Sequence, residues 1–93
     1  MTVKQFFERC DGSGYYGGLG VHIYCVDDPE DADVLVYDMN YEKIKTLPPI
    51  LLNAHIYEWD VYYRDGGDGV AIRIGLLGTT EDYDGKTWRD RKR

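Results

Sequence analysis

Cys10, His22, Cys25 and His55 are the chain's only soft metal ligands besides methionine, and four ligands are what a closed zinc site needs. Their spacing argues against one. No C-x-x-C pair exists, and His22 and Cys25 stand three apart on a segment that reads as a strand, so they point to opposite faces. Carboxylates gather at Asp27, Asp28, Glu30, Asp31 and Asp33, and again at Asp65 and Asp68. Neither cluster has the alternating acids, central glycine and distant glutamate of a calcium loop. Gly12 to Gly17 spells G-x-G-x-x-G, but it follows a helix-like segment and leads into a strand-like one. That is the reverse of the order that aims helix amides at a pyrophosphate. Ser13 is the only serine, and no serine or cysteine lies in a recognisable nucleophile context. Glu58 and Asp60 share a strand face, about 7 Å apart and in the open. These residues lead to the expectation of a non-enzymatic protein without metal or cofactor.

What remains is tyrosine set among carboxylates, as at Tyr37-Asp38, Tyr41-Glu42 and Asp82-Tyr83-Asp84. This chemistry suits arginine-rich surfaces, through charge pairing and cation–π contact. The candidate partner-binding residues are Asp27, Asp28, Glu30, Asp31, Asp33, Glu58 and Asp60, with Tyr15, Tyr16 and Tyr62 as aromatic anchors.

The elements that position them follow from capping and periodicity. Thr2 and Gln5 form a capping box for a helix from Val3 to about Cys10, with Val3, Phe6, Phe7 and Cys10 on one face. Strands are expected at about Gly20–Val26 and Asp33–Met39, joined by the acidic turn as an antiparallel hairpin. Pro48-Pro49 suits a helical turn over Pro49–Leu52. A long strand, about Ala54–Tyr63, and its hairpin mate, Val70–Leu76, flank a turn at Asp65–Gly69. On the long strand His55, Tyr57, Trp59, Val61 and Tyr63 share the face expected to pack beneath the helix, leaving Ala54, Ile56, Glu58, Asp60 and Tyr62 outward. The fold expected is α+β: a short N-terminal helix on a mostly antiparallel four-stranded sheet, with the helical turn between strands 2 and 3. Residues 1–77 form this domain. Residues 78–93 read as a polar, basic-ended mobile tail, with Trp88 able to dock on the body.

Ninety-three residues suffice for one domain, and 43% hydrophobic content supports a core. The charge of −6 is unevenly spread. Lys86, Arg89, Arg91, Lys92 and Arg93 oppose only Asp90 from Gly85 onward, a net +4, which leaves −10 on the residues before it. Such a body repels nucleic acid and attracts basic proteins. No apolar run approaches the length of a membrane span, and the N-terminus lacks a signal-peptide core, so a cytoplasmic protein with free thiols is expected.

The segments MTVKQFFERC, IYCVDD, LPPILLNAHIYEWDVYY and VAIRI resemble short uncharacterised proteins carried by phages and integrative elements of Gram-positive bacteria, over about residues 1–76. The resemblance implies a mobile-element origin. Acidic proteins of that origin include anti-CRISPR and anti-restriction inhibitors, some of which mimic DNA. The function expected is therefore blockade of a basic, nucleic-acid-binding surface on a host defence protein. Two alternatives stand beside it: a self-associating assembly module, compatible with a homodimer, and a small ligand- or metal-binding domain.

Overall fold

The computed structural model describes residues 1–9, 19–63 and 69–91. Helix α1 (Val3–Glu8) begins with the expected capping box: the Thr2 hydroxyl accepts from the Gln5 amide, and the Gln5 side chain accepts from the Thr2 N–H. Val3 and Phe7 are buried and Phe6 packs beside them. The expected C-terminal residue, Cys10, lies outside the described residues, as do the glycine loop with Tyr15 and Tyr16 and residues 65–68 of the hairpin turn. Helix α2 covers Pro49–Leu52, where proline at its first position needs no backbone donor. A 3-10 helix at Tyr41–Thr46, capped by the Asn40 side chain, precedes it and buries Ile44.

The strands are β1 (Leu19–Cys25), β2 (Val36–Asn40), β3 (Ile56–Tyr63) and β4 (Val70–Leu76). They form one mixed sheet in the order β2-β1-β4-β3. The two expected hairpin pairings, β1 with β2 and β3 with β4, are antiparallel, and β1 and β4 meet in parallel at the centre. Their central position explains why these two strands are the most apolar: Leu19, Val21, Ile23 and Cys25 with Val70, Ile72, Ile74 and Leu76 make a continuous buried face. Val3, Ile44, Leu47 and Leu51 close over it from the helical side. At about 1.5–3 kcal/mol per fully buried aliphatic side chain, this one-sided core is the main source of stability.

Two expectations are corrected. On β3, Trp59, Val61 and Tyr63 do lie on the helix side, opposite Ile74, Ile72 and Val70. They are nevertheless 55%, 51% and 81% exposed, because the short α1 reaches only Trp59, through Phe6 at 5.3 Å between ring centroids. The alternation also breaks at a bulge between Ile56 and Glu58. Ile56, expected outward, pairs with Leu76 and packs on the core, while Tyr57 is 61% exposed. His55 is exposed and Ala54 buried, again the reverse of the simple alternation.

The second correction concerns the segment expected to be a mobile tail, which folds back on the body through Arg91. A 3-10 turn at Thr80–Asp82 and a helix α3 at Trp88–Arg91 are pinned by the Trp88 N–H donating to the Val34 carbonyl at 2.8 Å. Arg91 donates to the Leu35 carbonyl at 2.9 Å and to Asp84 at 2.6 Å. Among the described residues no helix is long and apolar enough to cross a membrane.

Candidate functional site

The face of the sheet turned away from the helices is built in cross-strand rows. Register places Tyr24, Gly75 and Glu58 side by side, then His22, Arg73 and Asp60, then Gly20, Ala71 and Tyr62. β4 contributes only small residues to the outer two rows. Side chains from β1 and β3 can therefore lie across it and touch.

Tyr24 does so: its hydroxyl donates to Glu58 Oε1 at 2.7 Å. A Cβ on Gly75 would meet Glu58 Cγ at 2.8 Å and the Tyr24 ring at 2.9 Å, so this contact requires glycine. Burial and the neighbouring carboxylate push the Tyr24 phenol up to about 12. In the middle row Arg73 grips Asp60 with two nitrogens, Nε at 3.0 Å from Oδ1 and the second on Oδ2. This fork holds the Asp60 carboxyl below the usual carboxylate range. The Arg73 guanidinium also stands over the Tyr62 ring, 4.9 Å from its centroid.

In the same row His22 is stacked on Tyr37 with centroids 4.5 Å apart, and the Tyr62 hydroxyl lies within hydrogen-bond reach of its ring nitrogens. Tyr37 arrives there through an irregularity of β2. Between Val21 and Ile23 the partner strand runs from Met39 to Val36, one residue longer, and Asp38 absorbs the extra length with φ +51°. Trp88 continues the aromatic row against Tyr37 at 5.3 Å, with the Arg89 guanidinium over it at 4.7 Å.

The acidic turn after β1 bends over the end of this face. Asp28, Glu30 and Asp33 from the turn and Glu58 and Asp60 from β3 line one open groove of ≈ 660 Å³, floored by His22, Tyr24, Tyr37 and Arg73. Five carboxylates from segments 25 residues apart in sequence thus meet at one surface. Asp27 and Asp31 lie outside the groove lining, and Tyr62 sits beside it against His22.

Several of these acids also hold the fold. Asp27 accepts the Gly78 N–H at 2.8 Å, and Asp28 accepts both the N–H and the hydroxyl of Thr80, at 3.1 and 2.6 Å. Asp33 pairs with Arg89 at 3.0 Å. The partners of Asp27, Asp28 and Glu58 are neutral and leave their charge unbalanced, whereas Asp33 and Asp60 are locally neutralised. Glu30 and Asp31 are exposed.

Sequence reasoning missed His22, Tyr24 and Arg73 as parts of the site, and noted Tyr37 beside Asp38 without naming it among the anchors. Outward alternation on their strands was legible, but the parallel contact of β1 with β4 that gathers them was not. Cys25 faces the core as a free thiol, pushed up to about 11 by burial and by Asp28. His22 lies on the opposite face. Among the described residues no group of three or more His, Cys, Asp or Glu is placed to hold a metal ion.

The arrangement offers carboxylates, aromatic planes and two bound guanidinium groups, Arg73 on Asp60 and Arg89 on Asp33, which is chemistry for holding cationic side chains. Compared with protein-family models, curated proteins and solved structures, the chain matches none.

Proposed function

We propose that the chain is a non-enzymatic interaction protein whose acidic groove seats a basic segment of a partner protein. The observation that supports this most is the meeting of Asp28, Glu30, Asp33, Glu58 and Asp60 in one groove floored by Tyr24 and the exposed ring of Tyr37. Arg73 supplies the template: a guanidinium forked onto a carboxylate and laid over a tyrosine, the geometry an incoming arginine would reproduce on Glu58 and Glu30. The specific form of the proposal is an inhibitor of phage or mobile-element origin, acting in the host cytoplasm. It occupies a nucleic-acid-binding surface of a host defence protein and so acts as an acidic mimic of nucleic acid.

The immobilised chain, exposed to host lysate, is expected to retain a basic nucleic-acid-binding protein. That protein should be released between about 0.1 and 0.5 M salt as charge screening shortens and displaced by a competing oligonucleotide. The combined variant Glu30→Lys, Glu58→Lys, both in the groove lining, should lose it. Retention by the variant equal to that of the parent would exclude the groove as the binding surface.

A further inference from the structure

We infer that β3 pairs antiparallel with β3 of a second copy of the chain, joining two sheets edge to edge. The two edges of the sheet are treated differently by the fold. β2 is five residues long, is bulged at Asp38, and is flanked by segment 34–35, whose carbonyls take hydrogen bonds from Trp88 and Arg91 of α3. Short length, bulging and covering are the devices that keep an edge from pairing. β3 is eight residues long and, past its own bulge between Ile56 and Glu58, keeps an unbroken register from Glu58 to Tyr63. Its start is covered, since Val3 N–H donates to the Ala54 carbonyl and Ile56 N–H to the Met1 carbonyl. From Tyr57 to Tyr63 no described strand lies outside it. That stretch contains neither proline nor lysine.

The same stretch carries the exposed aromatic set. Trp59, Val61 and Tyr63 stand in a row on one side, each more than half exposed, and Tyr57 at the bulge is 61% exposed. At about 150–250 Å² per aromatic side chain, they leave roughly 400–500 Å² of largely apolar surface per copy. A specific interface starts near 1,200 Å² in total. Two such patches supply most of that area, and the strand backbones and the opposite side chains supply the remainder, which is the size of a weak dimer.

A second copy fits this edge in a definite register. With the two-fold axis through Val61, Trp59 faces the partner's Tyr63 on one side of the joined sheet, and Asp60 faces the partner's Tyr62 on the other. An axis through Asp60 would instead bring two carboxylates together, which is destabilising. The interface is isologous and closes at two copies. The axis stands perpendicular to the sheet, so both acidic grooves end on the same side of an eight-stranded sheet and neither is buried.

Sedimentation equilibrium from about 1 to 500 µM tests this over the affinity range of a weak dimer. A monomer–dimer equilibrium is expected for the parent chain. Val61→Lys, which places two ammonium groups at the axis, and Tyr63→Lys should each weaken it at least about tenfold while circular dichroism stays unchanged. Ile50→Lys, exposed on α2 outside the sheet, should leave it intact. A parent chain monomeric throughout, dimers that survive both β3 variants, or dimers lost in Ile50→Lys would overturn the pairing. None of these outcomes bears on the groove, whose test is read at partner binding.

Discussion

The Tyr24 hydroxyl reaches Glu58 at 2.7 Å across the bare backbone of Gly75, linking strands that are not neighbours in the sheet. This bridge sets the floor of the groove and fixes one of the carboxylates offered to a partner. The phenol is raised from 10.0 to about 12, first by burial and then by the hydrogen bond to Glu58. A raised folded value means that the stability it confers is complete below pH 10 and is lost as pH rises from 10 toward 12.

Phenolate absorbance titration of the parent should accordingly show a tyrosine ionising late, near pH 12, that is missing in Tyr24→Phe. Gly75→Ala should move it back toward 10, because the added methyl displaces the two side chains rather than the strand. A titration curve unchanged by either substitution would contradict the bridge.

Asp84 and Arg91 make a second dependence, of opposite sign. Burial works against the Asp84 charge, yet the Arg91 guanidinium and the Lys86 N–H hold its carboxyl below the usual range. Its contribution is therefore present above the ordinary carboxylate pKa and is lost as pH falls through the depressed one. Asp84→Asn is expected to cost about 1.5–3 kcal/mol at pH 7, the range for hydrogen bonds to charged groups. In urea titrations the gap between parent and variant should narrow progressively below about pH 4.

The exposure of β3 can be separated from the burial of β4 by truncation. Ile74→Ala removes a fully buried side chain at the sheet centre and should cost about 2–5 kcal/mol. Val61→Ala, one row away on the same face but half exposed, should stay within about 0.5 kcal/mol in dilute denaturant titrations. Equal losses at the two positions would mean that the helical layer covers β3 as well.

Cys25 should be nearly inert in the folded protein. With its thiol pushed from 9.0 to about 11, the ionised fraction at pH 8 falls about a hundredfold, and the side chain is buried besides. Peptide mapping after alkylation should find Cys25 unmodified in native buffer and modified in urea; rapid native labelling would place it outside the core.

Much of the fold is decided by local chemistry. Thr2 and Gln5 cap α1, Pro49 opens α2, and Val70–Leu76 forms β4 within the expected bounds, because capping, proline geometry and apolar runs act over a few neighbouring residues. The acidity of the turn and of β3, and the basic character of the last residues, were equally plain from the chain.

Tertiary structure alone decided which of these meet. Parallel pairing of β1 with β4 carries no local signature, yet it puts His22 beside Arg73 and Tyr24 beside Gly75 and gathers the distant carboxylates of the turn and β3 into one groove. It also decided burial. The aromatic face of β3 alternates as a core strand would, but a strand at the edge of a sheet is covered only as far as the helix above it extends. Here α1 ends at Glu8, and Trp59, Val61 and Tyr63 are left to solvent.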